Sequence, residues 1–78
     1  MHTLKAETIL DKGFNRLNRE IFLIHRPAGE YPAGSRAIPW EERWGVIWEF
    51  EGSRHGQWHA SPEKAREDFD NRNVGTGA

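Results

Sequence analysis

The sequence predicts a small two-layer α+β domain: a three-stranded antiparallel sheet packed by two helices, in the order α-β-β-β-α. Three observations carry this expectation. Residues 3–19 place their apolar side chains at helical spacing, residues 43–51 alternate apolar and polar, and Ser61-Pro62-Glu63 has the composition of a helix start.

In TLKAETILDKGFNRLNR (3–19), Ala6, Ile9, Leu10, Gly13 and Leu17 fall on one stripe at ~100° per residue. Lys5, Lys12, Arg16 and Arg19 flank the stripe on one side, Glu7 and Asp11 on the other. Thr3 is the expected N-cap. Gly13 is the weak point, since glycine costs ~1 kcal/mol inside a helix and could end the helix after Lys12. The spacing continues to Leu17 and predicts a helix to about Asn18.

Residues 20–26, EIFLIHR, form a short apolar, β-branched run, expected as a strand buried on both faces and ended by Pro27. Residues 27–39 carry three prolines and two glycines and read as a loop, with Pro-Ala-Gly at 27–29 and 32–34 marking two successive turns. A loop of that length in a small domain is usually functional or disordered. In 43–51, Trp44, Val46, Trp48 and Phe50 point one way, toward Phe69 and Leu10, and Gly45, Ile47, Glu49 and Glu51 the other, onto a solvated face. GSRHG (52–56) is expected as the turn, and 57–60 as the returning strand. The second helix runs to about residue 73, with Ser61 as cap, Pro62 at its first position and Glu63 at the positive end of its dipole. Arg66–Asp70 and Asp68–Arg72 are ion pairs at spacing four. Residues 1–74 form the domain and 75–78 a frayed tail.

Composition bounds the function. With 78 residues the chain is one domain, burying only ~60% of its unfolded surface. It has no cysteine, so no disulfide staples it and no thiolate can hold a metal. Its longest apolar run, Ile21–Ile24, is far short of the ~20 residues that span a bilayer. No signal-peptide core opens the sequence, so a cytoplasmic location without membrane contact is expected. A net charge of −1 creates no global attraction to nucleic acid. Four tryptophans beside four phenylalanines are more aromatic bulk than so small a core easily packs.

The residues offer no catalytic or cofactor constellation. His55 and His59 have chelating spacing only on a helix, and the glycines around them argue for an exposed turn; on a strand they would stand ~13 Å apart. Ser61 is explained as a cap, and Ser35 and Ser53 sit among loop glycines without a nucleophile motif. Glu41-Glu42 and the Glu49/Glu51 pair read as surface charge. So thin a domain also lacks depth for a water-excluding pocket of ~300 Å³.

Two binding surfaces remain. Lys5, Lys12, Arg16 and Arg19, with Arg26 adjoining, would give helix 1 a basic stripe able to neutralise phosphates. The stretch EYPAGSRAIPWEERW (30–44) gathers Tyr31, Arg36, Trp40, Glu41, Glu42 and Arg43 in a proline-stiffened loop. Tyr, Trp and Arg dominate interface hot spots, and stiffness lowers the entropy lost on binding. Trp40 is the expected apolar anchor, with Arg36 and Arg43 as polar contacts; alternatively Trp40 and Tyr31 fold back as a lid. The expectation is therefore a non-catalytic protein-binding module, monomeric or homodimeric, comparable in size alone to phage and mobile-element inhibitors of host complexes such as anti-CRISPR proteins. A nucleic-acid accessory protein using the helix 1 stripe is the alternative.

Overall fold

The computed structural model describes residues 7–33 and 36–74, and of residues 31–33 and 36–38 the backbone alone. Within them the chain forms β1 (Thr8–Phe14), β2 (Glu20–Arg26), β3 (Gly29–Ala33), β4 (Arg36–Trp40), β5 (Arg43–Phe50), β6 (Ser53–His59) and one helix, α1 (Pro62–Arg72). Four strands make an antiparallel sheet in the order β1-β2-β5-β6, and β3 and β4 pair separately. The architecture is mostly sheet, which corrects the expectation of three strands and two helices.

The segment expected as the first helix is β1. Its pairing to β2 slips by one residue between Ile9 and Asp11. Such a bulge puts consecutive residues on one face, so the apolar spacing imitates a helix. Leu17, the last member of the supposed stripe, is 76% exposed in the turn that follows. There the Asn15 side chain accepts from the backbone N–H groups of Leu17 and Arg19, and Asn18 takes φ 59°, a left-handed conformation that asparagine tolerates. Pairing with the apolar β2 overrides a helix that Gly13 already weakens. Thr3, Lys5 and Ala6 lie outside the described residues, as does the expected tail at 75–78.

The expected loop 27–39 is largely the β3–β4 hairpin. The same register offset holds from Ile21 opposite Trp48 to Arg26 opposite Arg43 and again from Gly29 opposite Trp40 to Ala33 opposite Arg36. β3 and β4 thus prolong the β2–β5 pair beyond the sheet, with residues 27–28 and 41–42 as the break. Pro32 and Pro39 fit because, among the described residues, each hairpin strand has a partner on one side only, so a missing N–H can face outward.

The β5–β6 turn is also tighter than expected. Glu51 and Gly52, at φ 52° and 78°, form a two-residue turn with both centres left-handed, whose twist matches that of the strands. β6 therefore starts at Ser53, and residues 53–56, expected in a turn, are strand.

The helix lies on one face of the sheet. Ile21, Leu23 and Val46 pack against Ala65 and Phe69, flanked by Trp44 and Trp48. Ser61 caps α1, its Oγ accepting from Lys64 N–H at 3.1 Å, with Pro62 in the first turn. Both expected i,i+4 pairs form. The opposite face, expected to be solvated, centres on buried Phe22, Ile24 and Ile47. Buried residues on both faces of β2 account for its unbroken apolar run.

Candidate functional site

The face away from the helix carries an alternating row of cations and indoles. Arg26 ends β2 and projects there with Phe22 and Ile24, as strand parity dictates. Its guanidinium carbon lies 4.4 Å from the ring centre of Trp40, at the end of β4, and 4.4 Å from that of Trp58 on β6. Gly45 pairs with Trp58 across β5–β6, and a Cβ at position 45 would stand 2.7 Å from the indole. The glycine lets the ring lie down on the sheet. Arg54, two residues before Gly56 on β6, approaches Trp58 at 5.9 Å and holds the Glu7 carboxylate through Nη2 at 2.8 and 3.0 Å.

Arg26 is 7% exposed. Its Nη2 donates to the Glu41 carbonyl at 3.3 Å, and among the described residues Nε has no hydrogen-bond partner. The indole faces supply the negative potential that this buried cation needs. Trp40 and Trp58 remain 42% and 38% exposed, although Arg26 stacks on both rings. Between them and Arg54 lies an open concavity of about 310 Å³. The concavity is open to solvent, and so is not the water-excluding pocket that a domain this thin was expected to lack.

The site residues expected from sequence are only partly brought together. Trp40 belongs to this row. Tyr31 and Arg36 lie on β3 and β4, with side chains outside the described residues. Glu41 and Glu42 occupy the exposed link into β5, where Glu41 pairs with Arg43 and Glu42 with His25 at 2.8 Å. Arg43 also donates to the Glu42 carbonyl at 2.7 Å, so these charges engage one another beside Trp40.

The basic stripe does not exist as a helix flank. Lys12 is on β1, Arg16 and Arg19 are in the β1–β2 turn, and Arg19 stacks on Phe50 at 4.3 Å. Arg26, expected to adjoin that stripe, is the buried cation between two indoles. Arg26, Trp58, Arg54 and Glu7 are the functional candidates that sequence reasoning missed. The available signal was parity: Arg26 shares a face with Phe22 and Ile24, and Gly45 leaves a gap on that face.

On the helix side, His59 is not an exposed turn residue but bonds Asp68 at 2.8 Å, which also accepts from Arg72 at 2.6 Å. Burial alone would raise the Asp68 pKa; the hydrogen bonds from Arg72 and His59 outweigh it and hold the carboxyl below its ordinary range. Among the described residues, no three His, Asp or Glu side chains gather as a metal ion would require, and no helix is long and apolar enough to cross a membrane. Comparison with known proteins finds no family model, no curated protein and no solved structure that matches the chain.

Proposed function

We propose that the chain is a non-catalytic protein-binding module whose contact surface is the exposed side of Trp40 and its neighbours at the root of the β3–β4 hairpin. The observation that carries this reading is the state of Trp40: 42% exposed, yet stacked on the buried Arg26 guanidinium. An aromatic side chain already held in one orientation loses little entropy on docking, and Trp is the residue type most enriched among hot spots. Glu41, Glu42 and Arg43 supply a charged rim beside it, and Tyr31 on β3 and Arg36 on β4 are proposed members of the same contact. The anchor and lid readings of Trp40 merge here, because its inner face covers Arg26 while its outer face is offered to a partner. Such a module acts by occupying a partner's surface, which is how a small inhibitor of a host protein complex would work.

The test compares wild type with Trp40→Ala, immobilised side by side against a host lysate, together with the melting temperature of each. Losing the anchor should weaken binding of the captured partner by about thirty-fold, from ~2 kcal/mol for a hot spot. The fold should lose about 1–2 kcal/mol, because Trp40 is half-exposed but the Arg26 guanidinium it covers is buried. Equal capture by the two proteins, or loss of capture only in the unfolded fraction, would refute the reading.

A further inference from the structure

The two edges of the four-stranded sheet are treated differently. β1 is protected: it is bulged at Ile9–Asp11, and three of its backbone groups are engaged outside the ladder. Lys12 N–H donates to Asp11 Oδ1 at 2.8 Å, Phe14 N–H to Asn73 Oδ1 at 3.2 Å, and Phe14 C=O accepts from Val74 N–H at 2.8 Å. Among the described residues, β6 has none of these devices. It is seven residues long, regular in register, free of Pro and Lys, and exposed at every position but His59. Unprotected edges of this kind are templates for another strand.

The turn settles which groups point outward. Phe50 and Ser53 flank the two-residue Glu51–Gly52 turn and so exchange hydrogen bonds with each other. Alternation then directs the N–H and C=O of Ser53, His55, Gln57 and His59 toward β5, and those of Arg54, Gly56 and Trp58 outward. Among the described residues, no backbone group lies against these three.

We infer that β6 pairs antiparallel with β6 of a second copy of this chain, with the two-fold axis at Gly56, making one continuous eight-stranded sheet. The strand is self-complementary in that register. All seven residues are opposed: Ser53 to His59, Arg54 to Trp58, His55 to Gln57, and Gly56 to itself. The outward groups at 54, 56 and 58 meet each other in phase, giving three mutually hydrogen-bonded residue pairs. No like charges face each other, whereas a slip that brought Arg54 opposite Arg54 would be repelled. On the face away from the helix, Arg54 of each copy meets Trp58 of the other. The alternating row Trp40–Arg26–Trp58–Arg54 thereby continues across the junction. This second copy is distinct from the partner expected at Trp40, and neither inference depends on the other.

The test is the oligomeric state. Wild type is expected to shift from monomer to dimer mass with concentration in sedimentation velocity. His55→Lys/Gln57→Lys, which opposes lysines across both symmetry-related pairs, should remain monomeric, and His55→Lys/Gln57→Glu should dimerise again. Both positions are exposed, and circular dichroism would verify the fold of each variant. In this cysteine-free chain, His55→Cys/Gln57→Cys should give a covalent dimer on oxidation. Residues opposed outside the hydrogen-bonded pairs stand ~4.5 Å apart at Cα, within disulfide reach. A wild-type chain that stays monomeric at every concentration overturns the inference, as does a double-lysine variant that dimerises like wild type. A cysteine variant that does not cross-link overturns the register.

Discussion

Replacing Arg54 by Met should destabilise the fold far more than its position on an edge strand suggests. The Glu7 side chain is 1% exposed and that of Arg54 31% exposed, with two hydrogen bonds between them. Hydrogen bonds to charged groups contribute ~1.5–3 kcal/mol each, and breaking a fully buried pair from one side costs ~3–5 kcal/mol. Because water reaches the arginine, the expected cost is lower, about 2–3 kcal/mol on the same scale. A domain of this size loses ~4–8 °C of melting temperature per kcal/mol, so the drop should be roughly 10–20 °C by that scaling. The penalty arises from a buried carboxylate that loses the two hydrogen bonds of its arginine, not from the worth of the attraction. Glu7→Leu/Arg54→Met, which removes both charges, should therefore recover to within ~1 kcal/mol of wild type. Thermal and urea unfolding of wild type, the single variant and the double variant at neutral pH decide the matter. The reasoning fails if Arg54→Met melts like wild type, or if the double variant is as unstable as the single one.

Two further outcomes are expected. Ser61→Ala should cost ~1 kcal/mol by removing the acceptor of Lys64 N–H, read as a lower urea midpoint with unchanged slope. Asp68 has a lowered folded pKa, so its ionised form stabilises the fold above the ordinary aspartate pKa of ~3.9, and that contribution is lost as pH falls through the folded value. Asp68→Asn should thus be less stable than wild type near neutral pH, with the gap closing in the acid range. A gap that is constant from neutral to strongly acidic pH would show that ionisation of Asp68 is not what stabilises the fold.

The parts of the fold legible in the sequence are those whose signals are local. Glu20–Arg26 is an apolar run with a proline stop, Trp44–Phe50 alternates, and Ser61-Pro62 caps its own helix; each appears where expected. β1 was hidden because its bulge breaks the alternation that marks a strand, although Gly13 and the Asn15–Asn18 turn were visible warnings. The hairpin was hidden because prolines read as loop, and nothing local reveals that β3 and β4 pair on one side only. The first part of β6 was hidden behind glycines that read as a turn. Of the candidate site, Trp40 stood out in the sequence as an aromatic residue in surplus. Its partners did not, because Arg26 and Trp58 reach it only through strand pairing that no spacing along the chain encodes.

The shared register of the hairpin and the central strands bears on the order in which the protein folds. Taken alone, closing β2 against β5 requires a sizeable loop to be ordered before any contact repays the entropy. Ala33 and Arg36, by contrast, are nearly adjacent in sequence. A hairpin begun there can close like a zipper, each new pair lengthening the last, until Arg26 meets Arg43 and the apolar pairs Ile24–Gly45, Leu23–Val46 and Phe22–Ile47 follow. The break at 27–28 and 41–42 is the one place where this zipper could lose count. The stack of Trp40 on Arg26 spans that break, joining the strand on one side to the strand on the other. The contact that fixes this half-exposed indole would then be the stitch that carries strand alignment from the hairpin into the sheet.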